Sequence, residues 1–204
     1  MLVERALEET GLPEPSLLLG DVGSSIYQRA DGRCVPVGDY WTHIGPNWRG
    51  GLGADILALL RDIAHLRPQE PAKQAPFKAS FYAAPGTDAK ATIAEAKARL
   101  DGQALRSSLI WSEDADGRTG LLDVLPARAD IRQAILFLRD WLNAPPAQTL
   151  FAGDSGNDLA VLGTEIPSVL VGNAEPSIRA AAVSPRARPA TRTVSTSPAA
   201  AIAG

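Results

Sequence analysis

The 204-residue sequence has little cysteine, histidine or aromatic content: one Cys, two His, and 5% Phe, Trp and Tyr together. A lone Cys34 excludes an internal disulfide. With only His43 and His65 beside it, no zinc cluster of the usual ligand spacing can be drawn. The expected setting is reducing and cytoplasmic. A basic excess is also missing, since 20 Lys and Arg against 23 Asp and Glu leave a net charge of -3. That balance gives no general attraction for nucleic acid or for an anionic membrane. No run approaches the ~20 apolar residues that cross a bilayer. The N-terminus lacks the basic stretch, apolar stretch and small-residue cleavage site of a secretory leader. Nucleic acid and membrane are therefore not expected partners, and oligomeric state is left open.

What is present is an ordinary globular composition, 45% hydrophobic and 21% charged, on a chain long enough for one sizeable core or two small ones. Residues 1–10 read as a helix ended by Gly11 and the Pro13/Pro15 pair, and "SLLLGDVGSSIY" reads as strand, glycine turn and second extended piece. Residues 28–47 read as loop. In "GADILALLRDIAHL", Ile56, Leu59, Leu60 and Ile63 repeat at helical spacing. "PFKASFYA" alternates, with Phe77, Ala79 and Phe81 on one face and Lys78, Ser80 and Tyr82 on the other, as a half-buried strand does. Asp88 can cap a helix whose inner stripe is Ile93, Ala96 and Leu100. "ALRSSLIW" and "TGLLDVL" flank Asp116-Gly117, a hairpin-turn signal. From Asp130 onward helices alternate with "TLFAG" and "SVLVG", short apolar strands typical of a parallel sheet covered on both faces. Trp41 and Trp48 suit either a sugar-stacking platform or core packing, and both histidines are expected at the surface.

The chemistry-bearing stretch is "LFAGDSGND", residues 150–158. In an open parallel α/β sheet, ligands bind beyond the carboxyl ends of the strands, where Asp154 and Asp158 fall. Mg²⁺ takes oxygen ligands, usually one or two protein carboxylates plus water and a substrate phosphate. Gly153 and Gly156 let the backbone crowd an ion, while Ser155 and Asn157 add neutral groups for phosphate oxygens. The same residues also make an ordinary turn with a helix cap. Both readings stand on local sequence alone.

"GDSGND" after an apolar strand, followed by "SVLVGNA", resembles the last motif of the haloacid dehalogenase (HAD) superfamily. "TGLPEPSLLLGDVGSSIY", "PFKASFY" and "LLDVLPARADIRQAI" are similar to segments of its sucrose-phosphate phosphatase family, in the same order. The resemblance implies an α/β fold: an incomplete Rossmann-like HAD core, its parallel sheet lacking the first strands, with an inserted α+β cap of the C2 type. Residues 1–29 would be a remnant of the N-terminal core, 30–122 the substrate-reading cap, and 123–204 the C-terminal core. It further implies Mg²⁺-dependent hydrolysis of a disaccharide phosphate through an aspartyl-phosphate. Asp154 and Asp158 would hold the metal, Ser155, Gly156, Asn157 and Arg132 the phosphate, and Lys78 and Ser80 the sugar.

Two departures qualify that expectation. The family's nucleophile motif, an apolar strand ending in Asp-x-Asp-x-Thr, precedes the segment matching "GLPEP" and has no counterpart in these residues, so no nucleophile or general acid/base is assigned. Asp114-Ala-Asp116-Gly is a poor substitute, preceded by "WSE" instead of an apolar strand end and lying between two strands. The family's phosphate-binding lysine is replaced by Ile131; Arg132 is adjacent, but one residue turns a helix by ~100°. The alternative expectation is a non-catalytic, sugar-phosphate-binding remnant such as accompanies a sucrose-phosphate synthase. Loss of a central strand predicts marginal stability or completion by an upstream segment.

Overall fold

The "SLLLGDVGSSIY" segment forms a hairpin: β1 (Leu17–Gly20) pairs antiparallel with β2 (Ser25–Ala30), in the register Leu17↔Gln28 to Gly20↔Ser25. The computed structural model describes residues 9–11, 13–114, 118–154, 158–174 and 176–183, which divide into one compact unit ending at Asp130 and another starting at Ile131. Most of the expected N-terminal helix therefore lies outside the described residues. The stretch expected to be loop is structured: β3 (Arg33–Pro36) extends the hairpin into a sheet of order β1-β2-β3, and α1 (Gly38–Ile44) follows. Asp31 and Gly32 make the β2–β3 turn, both at positive φ (51° and 72°), the Asp-Gly pattern that tight hairpins favour. β3 was hidden because its side chains are mostly exposed and show no apolar alternation. α1 was hidden because only Tyr40 and Ile44 of its seven residues are buried.

The β1–β2 turn is strained. Asp21 and Val22 take φ of 53° and 59°, followed by Gly23 at 101°. Asp tolerates the left-handed region, but a β-branched residue there is an outlier, and such positions cost on the order of 1–3 kcal/mol each. The neighbours over-determine the turn. Ser24 donates to the Asp21 carbonyl from both its amide (3.1 Å) and its hydroxyl (3.0 Å), and the buried Tyr40 hydroxyl donates to the Gly23 carbonyl at 2.5 Å.

A second antiparallel sheet of order β4-β5-β7-β6 joins β4 (Leu66–Pro68), β5 (Ala79–Ala83), β6 (Ser107–Glu113) and β7 (Gly120–Pro126). One face carries Ala79, Phe81, Leu122 and Val124, all fully buried. α2 (Gly53–Leu60) packs on β5, and α3 (Ala89–Gly102) packs on β6 and on α2. Ile56, Leu60 and Ile63 form the buried stripe of the α2 region, although the helix itself stops at Leu60. Asp88 caps α3 as expected, accepting from the amides of Lys90 (2.8 Å) and Ala91 (3.1 Å). Gly53 is required at the start of α2, because a Cβ there would stand 2.5 Å from the Lys78 carbonyl oxygen.

Trp48 takes the core-packing role, 1% exposed, with Nε1 donating to Ser107 Oγ at 2.9 Å; Phe77 lies between it and Trp41. Neither histidine is a free surface residue. His43 stacks on Tyr40, and His65 Nε2 lies 2.7 Å from Thr92 Oγ1.

In the second unit, α4 (Ile131–Trp141), β8 (Phe151–Gly153), α5 (Leu159–Leu162), β9 (Ser168–Leu170) and α6 (Pro176–Val183) alternate, and β8 pairs with β9 in parallel, Phe151↔Ser168 to Gly153↔Leu170. The parallel pairing is as expected. The covering of both faces is not: Ala152 is exposed, Leu150 is 70% exposed, and of the α4 residues only Ala134 is buried. Two described strands offer the helices a narrow floor.

Candidate functional site

The corner after β8 is built by packing a carboxylate onto a glycine. A Cβ on Gly153 would meet Cγ, Cβ and Oδ2 of Asp158 at 2.6 to 2.7 Å, so only glycine lets Asp158 fold back against the strand end. There its Oδ2 accepts the Asp154 amide at 3.0 Å. Asp154 Oδ2 in turn accepts from the side-chain amide of Asn173 at 2.7 Å. Asn173 follows β9, and the Val171 amide donates to the Gly153 carbonyl at 3.1 Å, so the carboxyl ends of both parallel strands converge on the two aspartates. Ligands of open α/β sheets bind at such an edge. Asn173 was missed by the sequence reading; its signal was its place, three residues past a short apolar strand. Ser155, Gly156 and Asn157 lie outside the described residues.

The donors suit a hard cation. They are carboxylate oxygens, and the outer partner is an amide that fixes the orientation of Asp154, the role outer-shell groups play around Mg²⁺ and its relatives. One oxygen of Asp154 has no partner among the described residues.

Arg132, at the start of α4, gives its guanidinium to Glu165 at 2.9 Å. The Glu165 carboxyl is held below its ordinary range, first by its own backbone amide and then by the charge of Arg132. Ile131 beside it is half-buried.

In the first unit, Ser80 and Tyr82 alternate along one face of β5, with Lys78 just before its start, and that face is covered at Ser80 and part-exposed at Tyr82. The segment from Gln69 to Gln74 folds over it. Gln74 Oε1 accepts the Ser80 amide (2.8 Å), and Gln74 Nε2 donates to the Ser80 carbonyl (2.9 Å). Ser80 is fully buried, with its hydroxyl donating to Asp123 Oδ1 at 2.5 Å. Tyr82 donates to both carboxylate oxygens of Glu70 (3.0 and 2.9 Å), which pushes the Tyr82 hydroxyl up. Glu70 is pulled down by its own amide and by Tyr82. Lys78 is nearly buried, with Nζ 3.4 Å from Asp21 Oδ1. The acidic stretch at Asp114 belongs to the β6–β7 hairpin, whose Asp114 amide donates to the Thr119 carbonyl at 2.9 Å; Asp116 lies outside the described residues.

Several known proteins are similar to this chain. The chain is 42% identical over 178 residues to a HAD-like hydrolase of Nitrosococcus oceani, covering 87% of this chain and 48% of that protein. It is 30% identical over 173 residues to the mannosylfructose-phosphate phosphatase of Agrobacterium fabrum, covering 84% of this chain and 65% of that one. The chain thus spans about half to two thirds of the length of these relatives. Among solved structures, the sucrose-phosphatase of Synechocystis, in complex with sucrose and phosphate, superposes with a TM-score of 0.68 at 27% identity, over 87% of this chain and 68% of that one. Residues 1–203 match the family described as sucrose-6F-phosphate phosphohydrolase. An α/β chain whose glycine-backed aspartate corner sits at the carboxyl end of a parallel strand pair, and which matches that family over nearly its full length, belongs to the sucrose-6F-phosphate phosphohydrolase family of HAD-type phosphatases.

Proposed function

We propose that the protein serves Mg²⁺-dependent hydrolysis of a disaccharide phosphate ester in a cytoplasmic setting. The observation that carries this reading is the Asp154–Asp158–Asn173 corner, where the Asp154 amide fixes Asp158 and Asn173 fixes Asp154. Asp154 and Asp158 would hold the Mg²⁺, which screens the charge of the phosphate. Ser155, Gly156 and Asn157 would supply neutral donors to phosphate oxygens. Arg132 is the remaining phosphate candidate, and would first have to leave Glu165. On the sugar side, Lys78 donates to hydroxyls, and Ser80 acts through Asp123.

The attacking carboxylate is assigned to none of these 204 residues, since no Asp-x-Asp-x-Thr strand end occurs before β1. Calorimetric titration with sucrose 6-phosphate should therefore show Mg²⁺-dependent binding that Asp154→Asn abolishes. Binding indifferent to Mg²⁺ or to Asp154→Asn would sink the metal reading. Robust phosphate release by this chain alone would place the nucleophile within it.

A further inference from the structure

The two edges of the second sheet are unlike each other. At one end β4 is three residues long and closes on Pro68, and shortness and proline are two of the features that keep edge strands from pairing with other chains. At the other end β6 has seven residues, Ser107–Glu113, with neither lysine nor proline among them. Its register with β7 runs unbroken from Ser107↔Pro126 to Glu113↔Gly120. Neither shortness, proline, lysine nor a bulge blunts this second edge.

The ladder fixes which way the peptide groups of β6 point. The Arg106 carbonyl accepts from the Ala127 amide at 3.0 Å, and the Asp114 amide donates to the Thr119 carbonyl at 2.9 Å. In an antiparallel pair, residues that bond to the neighbour alternate with residues that do not. The even-numbered positions therefore turn toward β7, and Ser107, Leu109, Trp111 and Glu113 turn outward. Water serves an outward row well enough, so the row alone calls for no partner. The order of the side chains does. Leu109, Ile110 and Trp111, in the middle, are all half-buried. A Cβ on Gly120 would run into the Trp111 ring, so the indole lies back over β7 instead of across the edge. An exposed cation, Arg106, precedes this apolar centre, and two exposed carboxylates, Glu113 and Asp114, follow it. Such a strand is complementary to itself turned end for end. With Ile110 opposite its own copy, Leu109 faces Trp111, Ser107 faces Glu113 and Arg106 faces Asp114, each pairing occurring twice. Arg106 and Asp114 then meet at the closer, non-hydrogen-bonded kind of position, where opposite charges favour pairing. A parallel arrangement in register would set Arg106 against Arg106 and the carboxylates against each other.

We propose that β6 is a self-association edge: it pairs antiparallel with the β6 of a second copy of this chain, about a two-fold axis at Ile110, and joins two four-stranded sheets into one. The axis maps each strand onto the other, so the pairing closes at a dimer and does not propagate into a fibre. The main chain supplies the attraction, as in other cases of strand addition. Arg106 and Asp114 set direction and register. A seam one strand long is small for a protein interface, so the dimer is a weak one that forms and parts with concentration. The proposal rests on the second sheet alone and is independent of the phosphatase reading.

Sedimentation equilibrium of the 204-residue chain over a range of concentrations reads the association directly. The unaltered chain is expected to pass from a monomer of 21.5 kDa to a dimer as concentration rises, and to stop there. Arg106→Glu sets carboxylates face to face at both ends of the seam, and Ile110→Lys sets two ammonium groups against each other at the axis. Each is expected to weaken the dimer by about tenfold or more. Asp114→Arg does the same from the other side. The Arg106→Glu, Asp114→Arg exchange restores opposite charges at both ends and should return the dissociation constant to within about threefold of the unaltered chain, a rescue that a merely damaged fold would not give. Circular dichroism establishes that each variant folds, and the exchange keeps the test decisive if Ile110→Lys does not. Leu150→Ser, which alters an exposed leucine of the second unit, should leave association unchanged. The proposal is overturned by a chain that stays monomeric at every concentration, a dimer indifferent to Arg106→Glu or weakened as much by Leu150→Ser, an exchange without rescue, or assembly that continues beyond the dimer.

Discussion

Gly153→Ala is the sharpest perturbation of the aspartate corner, because one methyl group is directed at one carboxylate. The added Cβ would stand 2.6 Å from Asp158 Cγ and 2.7 Å from both its Cβ and Oδ2. Non-bonded carbons settle at roughly 3.5 Å or beyond, so the Asp158 side chain must retreat by about 0.8 Å or more. Cβ is among the atoms struck, so swinging the carboxylate tip alone does not relieve the clash. A retreat of that size along the bond stretches the 3.0 Å contact between the Asp154 amide and Asp158 Oδ2 to nearly 4 Å, beyond hydrogen-bonding range. Crowding of this kind costs about 1–3 kcal/mol. Misplacing the partners of a metal site typically costs about 10–100-fold in metal affinity. Titration calorimetry with MgCl₂ should show a loss in that range. Gly102→Ala is the control: a methyl group added there, at the end of α3, meets nothing within 4 Å, and alanine should stabilise the helix by about 0.5–1 kcal/mol. Gly153→Ala with unaltered Mg²⁺ affinity would refute the reasoning.

Tyr40→Phe leaves the Gly23 carbonyl without its donor and should destabilise the protein by about 1–3 kcal/mol in urea denaturation. Burial, and secondarily the charge of Asp130, raises the Tyr40 hydroxyl pKa in the folded protein. The stability it contributes is therefore full below pH ~10, where unfolded tyrosine titrates, and is lost as pH rises above that; Tyr40→Phe should flatten this alkaline loss. Asp88→Ala removes the side-chain oxygen that accepts two amides at the α3 N-terminus and should cost ~1 kcal/mol in the same assay, with Asp88→Asn retaining most of the stability. Ser80→Ala strips Asp123 of its buried donor and should cost about 1–3 kcal/mol, measured as a lowered urea midpoint.

How much of this was legible in the sequence depended on the range of the forces involved. The aspartate corner could be read because glycine, aspartate and the preceding apolar strand are contiguous, and the Asp88 cap because capping is local. The antiparallel sheet was legible except for β4, which is only three residues long. α1 and β3 escaped because a helix with two buried residues and a mostly exposed edge strand carry no periodic signal, though the Asp31-Gly32 pair was a usable sign of the hairpin. Burial of Ser80 could not be read at all. It depends on the 69–74 segment turning back to bring the Lys73 carbonyl to its hydroxyl, and a polar face looks the same in sequence whether water or a backbone carbonyl covers it. The partners of Lys78 and Arg132, 57 and 33 residues away in Asp21 and Glu165, are products of tertiary folding.

Gln74 also changes what the rim of the second sheet can do. β4 ends at Pro68, and a proline nitrogen has nothing to donate. Beyond it the Gln69 amide still meets the Ser80 carbonyl, at 2.9 Å, but the Ser80 amide would be left open, and open strand edges are the kind of template on which chains aggregate. The carboxamide of Gln74 has the same atoms in the same order as a peptide group, and it meets the Ser80 amide and carbonyl as a neighbouring backbone would. The Gln74 side chain, beside the Gln69 amide, thus completes the edge as one more residue of strand would. Its neighbours in the loop can vary in sequence while the sheet stays capped, provided that position 74 keeps both a donor and an acceptor; a glutamate there would offer two acceptors to a site that needs one of each, and would reopen the edge.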